Sequence, residues 1–480
     1  MGRNAPGAMA ERTDRRHRGL YPPFSVMARP GPGARLHGGR PGLDSSQPFA
    51  MLHTHSLYYD HLKAEELAFL RKVADFCARE IAPHATEWEE TEELPRDLFT
   101  KAGRAGLMGV MAPVSVGGQG FGKLCYALTI EELARHCGAF AMNLAAHNAL
   151  CVGHPLHFAS EELKKKIFPS VLNGDWMVAW ALTEPNAGSD TSGVTTAATL
   201  QPDGIWELNG HKTYITMGNH SDRMIVMAVS GVDEKGRKEF SAYWINSAGA
   251  TKVRKVPTAG VCPSNTSELK LEKVSGELIG VRGKGQNAAL ACLDIGRLGI
   301  VGMSLGLGRA AMEIAQQRML TRKQFGKRIA QFQALQFMLA DCEVELRAAE
   351  ALLLQAAVMS DRGQCHTLEG SIAKLYASEV ASRACNRCLQ ICGSWGYTRD
   401  TFVERYWRDA RLCEIGEGSS EVQRFIISRT LHKEAEMTAS RSRSWRRSRA
   451  RGRGCRRVAG AGESAGPLRI PPRRACGRTG

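Results

Sequence analysis

No apolar run in this 480-residue chain approaches the roughly 20 residues that a membrane-spanning helix needs, and no short apolar core of a secretory leader is present. A soluble, intracellular protein with no membrane span is therefore expected. Net charge is missing from the middle of the chain. Residues 1–50 hold eight arginines against three acids, and residues 435–480 hold thirteen against two, so the two ends carry the whole formal charge of +16. Residues 51–434 balance 43 bases against 43 acids, which predicts a neutral globule rather than a nucleic-acid-binding body.

A clustered disulfide or metal framework is also lacking. The fourteen cysteines are scattered through apolar stretches, as buried thiols in a reducing compartment would be. Cys385, Cys388 and Cys392 share a helical stripe with no fourth ligand nearby, and His154-x-x-His157 reads as a helix face or loop. No metal is expected.

Both ends are poor in apolar groups and rich in Arg, Gly and Pro or Ser, so 1–50 and 435–480 are expected to be disordered. The protein should be cytoplasmic, or mitochondrial-matrix if the first segment is a transit peptide; a start at Met51 would remove that segment.

Between them the periodicity changes twice. Residues 51–178 follow a helical pattern, with Leu70, Val73, Cys77 and Ile81 on one face. Within it MAPVSVGGQGFG is a turn, because no strand precedes its glycines. Residues 179–285 read as strands of an antiparallel barrel or sandwich, with Asn209-Gly210 predicting a hairpin turn. Residues 286–434 return to long helices. Leu335, Met338, Cys342, Leu346, Ala349, Leu353 and Ala356 mark one face, and Gly299, Gly302 and Gly306 invite close helix packing.

Four segments combine small residues with hydroxyls and exposed backbone: ALTEPNAGSD (181–190), TRKQFGKRIAQFQALQF (321–337), LQICGSWGY (389–397) and EIGEGSSEVQR (414–424). With the Arg322 fork they suit a large phosphate-bearing ligand. Their order, together with Asn209-Gly210-x-Lys212, Arg408-Asp409-Ala410-Arg411 and Glu417-Gly418-Ser419-Ser420-Glu421, resembles the acyl-CoA dehydrogenase family across residues 55–434.

The resemblance implies an α+β multidomain fold: an all-α N-terminal domain, a central β domain and a C-terminal four-helix bundle, assembled as a homotetramer that is a dimer of dimers. It implies FAD, an acyl-CoA substrate and an electron-transferring flavoprotein as electron acceptor. By motif position, Trp180, Leu182, Thr183, Ser189, Tyr214, Ile215 and Thr216 would line the flavin, followed by Ser419 and Glu421. Arg322, Phe325 and Gln333 would hold the FAD pyrophosphate and adenosine from a neighbouring subunit, with Gln390, Gly393 and Ser394 nearby. Ser189, Asp294, Arg297, Gly418 and Arg429 would contact acyl-CoA.

Glu417 takes the base position, and its flanking glycines let the backbone approach a thioester. Relatives such as the isovaleryl-CoA and long-chain enzymes carry their base just before an arginine, where this chain has Gly296. That glycine favours short- or medium-chain, 2-methyl-branched or dicarboxylic thioesters. Tyr214, Ser394 and Gly416 depart from common family residues, and none of these changes removes a catalytic group. Two other readings remain: a same-fold flavoprotein whose basic tail binds DNA, and an oxidase or monooxygenase.

Overall fold

The structure, a computed structural model, describes residues 58–451; the extension at 1–50 and the tail from 452 lie outside the described residues. Chain order follows the predicted switch from helices to strands and back. The first helical part contains α1 (Ala64–Phe76), α2 (Ala85–Thr91), α3 (Arg96–Arg104) and α4 (Lys123–His136). It continues with α5 (Gly138–Ala146), α6 (Gly153–Phe158) and α7 (Glu161–Leu172). Leu70, Val73, Cys77 and Ile81 are buried as their spacing predicts, although the last two lie on a π-helical turn continuing α1. Helix α7 starts on a Ser160 side chain that accepts the Leu163 N–H, a standard N-cap.

The strands are β1 (Val178–Ala181), β2 (Ala197–Leu200), β3 (Trp206–Ile215), β4 (Arg223–Val232), β5 (Lys238–Asn246), β6 (Ala250–Lys255) and β7 (Ser267–Ile279). Strand β4 pairs with β2 on one side and β5 on the other, and β3 and β7 complete the ring, so the sheet closes into a barrel. Most pairings are antiparallel, as expected; β1 and β2 instead run parallel to β4. Alternating side chains fill the interior, among them Leu208, Val226, Tyr243, Leu269 and Leu271.

Asn209-Gly210 does not form the predicted hairpin. It lies inside β3, at an irregularity in the pairing with β7. A side chain at Gly210 would stand 2.3 Å from Thr196 Oγ1, so the glycine serves close strand approach. Asn209 Oδ1 accepts the Lys273 N–H at 2.8 Å, satisfying a strand group left over by the irregularity.

The last part is α8 (Gly285–Thr321), a short hairpin of β8 (Lys323–Gln324) and β9 (Lys327–Arg328), α9 (Gln333–Asp361), α10 (Thr367–Cys392), α11 (Val403–Cys413) and α12 (Ser420–Arg451). Contrary to the sequence reading, α8 is long and apolar enough to cross a membrane by length and composition, but most of that stretch is buried within the protein. Its glycine stripe meets α4 backbone to backbone. A Cβ on Gly302 would lie 2.1 Å from the Ala127 carbonyl oxygen, and one on Gly306 2.2 Å from that of Glu131.

On α9 the face from Cys342 to Ala356 is buried, whereas Leu335 and Met338 are only half-buried. Cys385, Cys388 and Cys392 are buried in the bundle, consistent with a core stripe. Helix α12 runs to Arg451, past residue 435 where order was expected to end; no Gly or Pro interrupts the chain between Ser420 and Arg451.

One core cluster joins all three parts: Val152, Ile167 and Phe168 from the first helices, Ile225, Trp244 and Ile279 from the barrel, and Ala289 from α8. It fixes the barrel against the start of α8, next to the loop before α12.

Candidate active site

That loop, Glu414 to Ser419, is held at both ends. The Ser420 N–H donates to the Glu414 carbonyl at 2.9 Å, and the Gly416 N–H to the Leu412 carbonyl at 2.8 Å. Between these ties Glu417 and Gly418 both take left-handed backbone, with φ of 52° and 92°. A non-glycine residue there costs about 1 kcal/mol, a strain characteristic of functional loops. The Gly418 carbonyl accepts from Lys374 Nζ at 2.7 Å and from Gln423 Nε2 at 2.9 Å. These two buried donors keep the turn in its strained form.

The turn aims the Glu417 carboxylate inward. Both oxygens are sealed from solvent and accept no hydrogen bond, although the residue as a whole is only half-buried. They rest over α8 where it carries no side chain: a Cβ on Gly296 would stand 1.8 Å from Glu417 Oε2. Burial pushes the carboxyl up, while the nearby Lys374 and Arg297 charges pull it back, leaving it at about 7. The Lys374 ammonium is itself brought down to about 8 by burial, against the opposing pull of Cys413 and Glu417. Arg297 is buried, paired with Asp294, and donates to Ser371 Oγ at 3.3 Å. Thr367 Oγ1 donates to the other Asp294 oxygen at 2.8 Å, so the arginine that faces the base is itself braced.

The barrel side of the site is organised by a buried ion pair. Lys212 Nζ on β3 lies 2.8 Å from Glu184 Oε1 and donates to the Leu182 carbonyl at 2.9 Å. Glu184 also accepts from the backbone and hydroxyl groups of Thr195 and Thr196. Burial alone would raise this carboxyl, but the Lys212 charge and these hydrogen bonds hold it down at about 2. The Thr213 N–H donates to the Thr183 carbonyl at 3.0 Å. Trp180, Leu182, Thr183 and the Tyr214–Thr216 segment are thereby locked side by side. Trp180 Nε1 donates to His154 Nδ1 at 3.4 Å, which gives the α6 histidine a structural partner. Ile215 is buried, Thr216 half-buried, and Tyr214 is 65% exposed at φ 56°.

The remaining predicted residues fall into a second group. Ser189 is exposed in the loop after Glu184, and Glu421 on the first turn of α12. Arg322 follows α8, Phe325 tips the hairpin at 92% exposure, and Gln333 opens α9, all three exposed. Gln390, Gly393 and Ser394 lie exposed at the end of α10. The Arg318 guanidinium stacks 4.7 Å from the Trp395 ring centroid, which ties the end of α8 to that turn. Arg429 is exposed on α12. Among the described residues, no hydrogen bond joins this second group to Glu417.

Lys374, Glu184 and Tyr126 were not picked out from the sequence. Lys374 did carry a signal: a lysine flanked at helical spacing by Gly370, Ser371, Ala377 and Ser378, all small and all buried. The arrangement fits a flavin. Tyr214 offers an open ring beside the locked barrel segments, and the Gly393 backbone (φ 64°) has nothing within 4 Å of where a Cβ would stand. Such a cradle allows a large group to lie against the main chain.

Three domain profiles match the chain in order: acyl-CoA dehydrogenase N-terminal domain over residues 63–175, middle domain over 179–274 and C-terminal domain over 283–432. A probable acyl-CoA dehydrogenase of Bacillus subtilis is 39% identical over 377 residues, 78% of this chain and 99% of its own. The caffeyl-CoA reductase–Etf complex subunit of Acetobacterium woodii is 37% identical over 377 residues, 77% of this chain and 99% of its own. Among solved structures, butyryl-CoA dehydrogenase from Megasphaera elsdenii superposes with a TM-score of 0.75 at 34% identity, covering 77% of this chain and 98% of that one. The chain belongs to the acyl-CoA dehydrogenase family of oxidoreductases.

Proposed function

We propose that the protein is an FAD-dependent dehydrogenase that converts an acyl-CoA thioester to its trans-2-enoyl form, with Glu417 removing the α-proton. One observation carries this reading: the Glu417 carboxylate is closed to water, lacks a hydrogen-bond donor and sits beside two buried cations. A surface glutamate would be solvated and a structural one would be paired. A base poised near pH 7 is ionised often enough to act and basic enough to take a weakly acidic proton.

The α-proton must be acidified by donors on the thioester oxygen. The Glu417 N–H makes no hydrogen bond among the described residues and is free to serve as one such donor. Its left-handed backbone, with Gly418 beside it, leaves room for that approach. FAD, when bound, supplies the acceptor for the β-hydrogen, which leaves as hydride. Trp180 to Thr183 and Tyr214 to Thr216 would hold its ring, with Ser189, Ser419 and Glu421 at the edges. Asp294, Arg297, Gly418 and Arg429 would serve the acyl-CoA, with buried Arg297 acting from behind the base.

Arg322, Phe325 and Gln333 would reach the cofactor of a second copy in a homotetramer. Their exposure, and that of Phe337 and Phe425, supports that arrangement. An electron-transferring flavoprotein would take the electrons, in line with the kinship to an Etf complex subunit.

The test is anaerobic bleaching of the FAD-loaded protein by acyl-CoAs. Glu417→Gln should keep flavin and ligand yet lose the bleaching rate by several orders of magnitude. Bleaching near the wild-type rate in that variant would end the assignment.

A further inference from the structure

Helix α8 passes from half-exposed to fully buried within one turn of the base. Leu293, Asp294 and Ile295 are partly accessible, whereas every residue from Leu298 to Leu307 is buried. A ligand reaching Glu417 along α8 therefore enters at the Asp294 end, and a tail advancing past the base along the helix meets Gly299. Gly299 stands one helical turn beyond Gly296, about 4.5 Å further along the axis.

That position is already occupied. A Cβ on Gly299 would lie 2.2 Å from the Tyr126 hydroxyl oxygen and 3.3 Å from the Ala145 side chain. The hydroxyl is pinned, donating to the Ala145 carbonyl at 3.0 Å, and the ring is fully buried. Burial, reinforced by the Glu417 charge, raises the phenol well above its ordinary range, so Tyr126 stays neutral and looks toward the base. Past Tyr126 no slot continues, because Gly302 and Gly306 bring α8 against the α4 carbonyls of Ala127 and Glu131.

We infer that Tyr126 is the stop that sets acyl length, restricting the substrate to short thioesters. The inference rests on the proposed dehydrogenase reading and gives that site a substrate class. Extra methylenes must displace a hydrogen-bonded ring seated on bare backbone. A pocket discriminates by about 10- to 200-fold per methylene it cannot house.

The test measures kcat/KM for anaerobic flavin reduction by butyryl-, hexanoyl- and octanoyl-CoA in the FAD-loaded protein and two variants. Wild type should favour butyryl-CoA over octanoyl-CoA by about 100-fold or more. Tyr126→Leu, which removes the ring but keeps an apolar filler, should narrow or reverse that ratio by at least about tenfold. Tyr126→Phe, which removes only the hydroxyl and disturbs the fold least, should raise the hexanoyl-to-butyryl ratio by about threefold to tenfold. A wild type that prefers octanoyl-CoA, or a Tyr126→Phe profile identical to wild type, overturns the assignment of Tyr126 and leaves the dehydrogenase reading standing. Absence of bleaching by every thioester overturns both.

Discussion

Glu417→Gln should make the protein more stable while silencing it, and the stabilisation should grow with pH. In the fold the carboxyl titrates at about 7, against 4.5 for an unperturbed glutamate, because burial outweighs the two nearby cations. A carboxyl whose folded pKa is raised favours the native state while protonated. As pH rises through the window from 4.5 to about 7, the unfolded chain ionises before the folded one does, and the native state loses about 3 kcal/mol. Glutamine mimics the protonated acid and escapes this loss.

Thermal midpoints of the two proteins should therefore lie close together near about pH 4.5 and separate by a few degrees near about pH 8, with the variant higher. Differential scanning calorimetry of both proteins across that range reads the effect. A difference that stays flat with pH, or a variant less stable at alkaline pH, would mean the carboxylate is solvated or paired. The account of the base would then be wrong.

Other expectations follow from the same geometry. The free-enzyme rate constant kcat/KM for flavin reduction should climb about tenfold per pH unit below about 7 and level off above it. Lys374→Met removes a cation beside the base, so that limb should move to higher pH by about one unit, a shift that steady-state pH profiles would detect. Glu184→Gln leaves the Lys212 ammonium buried without its counter-charge. It should cost about 3–5 kcal/mol in urea unfolding and weaken flavin retention measured by absorbance after gel filtration. Gly302→Ala drives a methyl group into the Ala127 carbonyl and should destabilise by about 1–3 kcal/mol, visible as a lowered thermal midpoint with the flavin spectrum unchanged.

Much of this design could be read from residue order, for identifiable reasons. Glu417 stood out because glycines flank an acid just ahead of a helix, and the fold uses the left-handed backbone of Gly418 in the turn that aims that acid inward. The α8 glycines were legible because small residues at helical spacing serve close packing. Asn209-Gly210 was misread because the same dipeptide suits a tight turn and a close strand approach; only Thr196, distant in sequence, decides between them. The α12 extension was missed because composition weighs charge and ignores an uninterrupted run of helix-compatible residues. Lys374 and Tyr126 act through neighbours from other elements, Gly418 in the loop before α12 and Gly299 on α8, which no local pattern records. Closure of the sheet through parallel pairing of β2 with β4 depends likewise on partners distant along the chain.

The seat of the base at Gly296 and the rest of Tyr126 at Gly299 belong to one rigid rod, a single turn apart. The spacing between the two seats is then set by the pitch of the α-helix, while the base itself rides on its own loop. A lineage seeking longer tails would have to whittle the opposing wall, and fidelity to short ones should hold on warming until the rod itself melts.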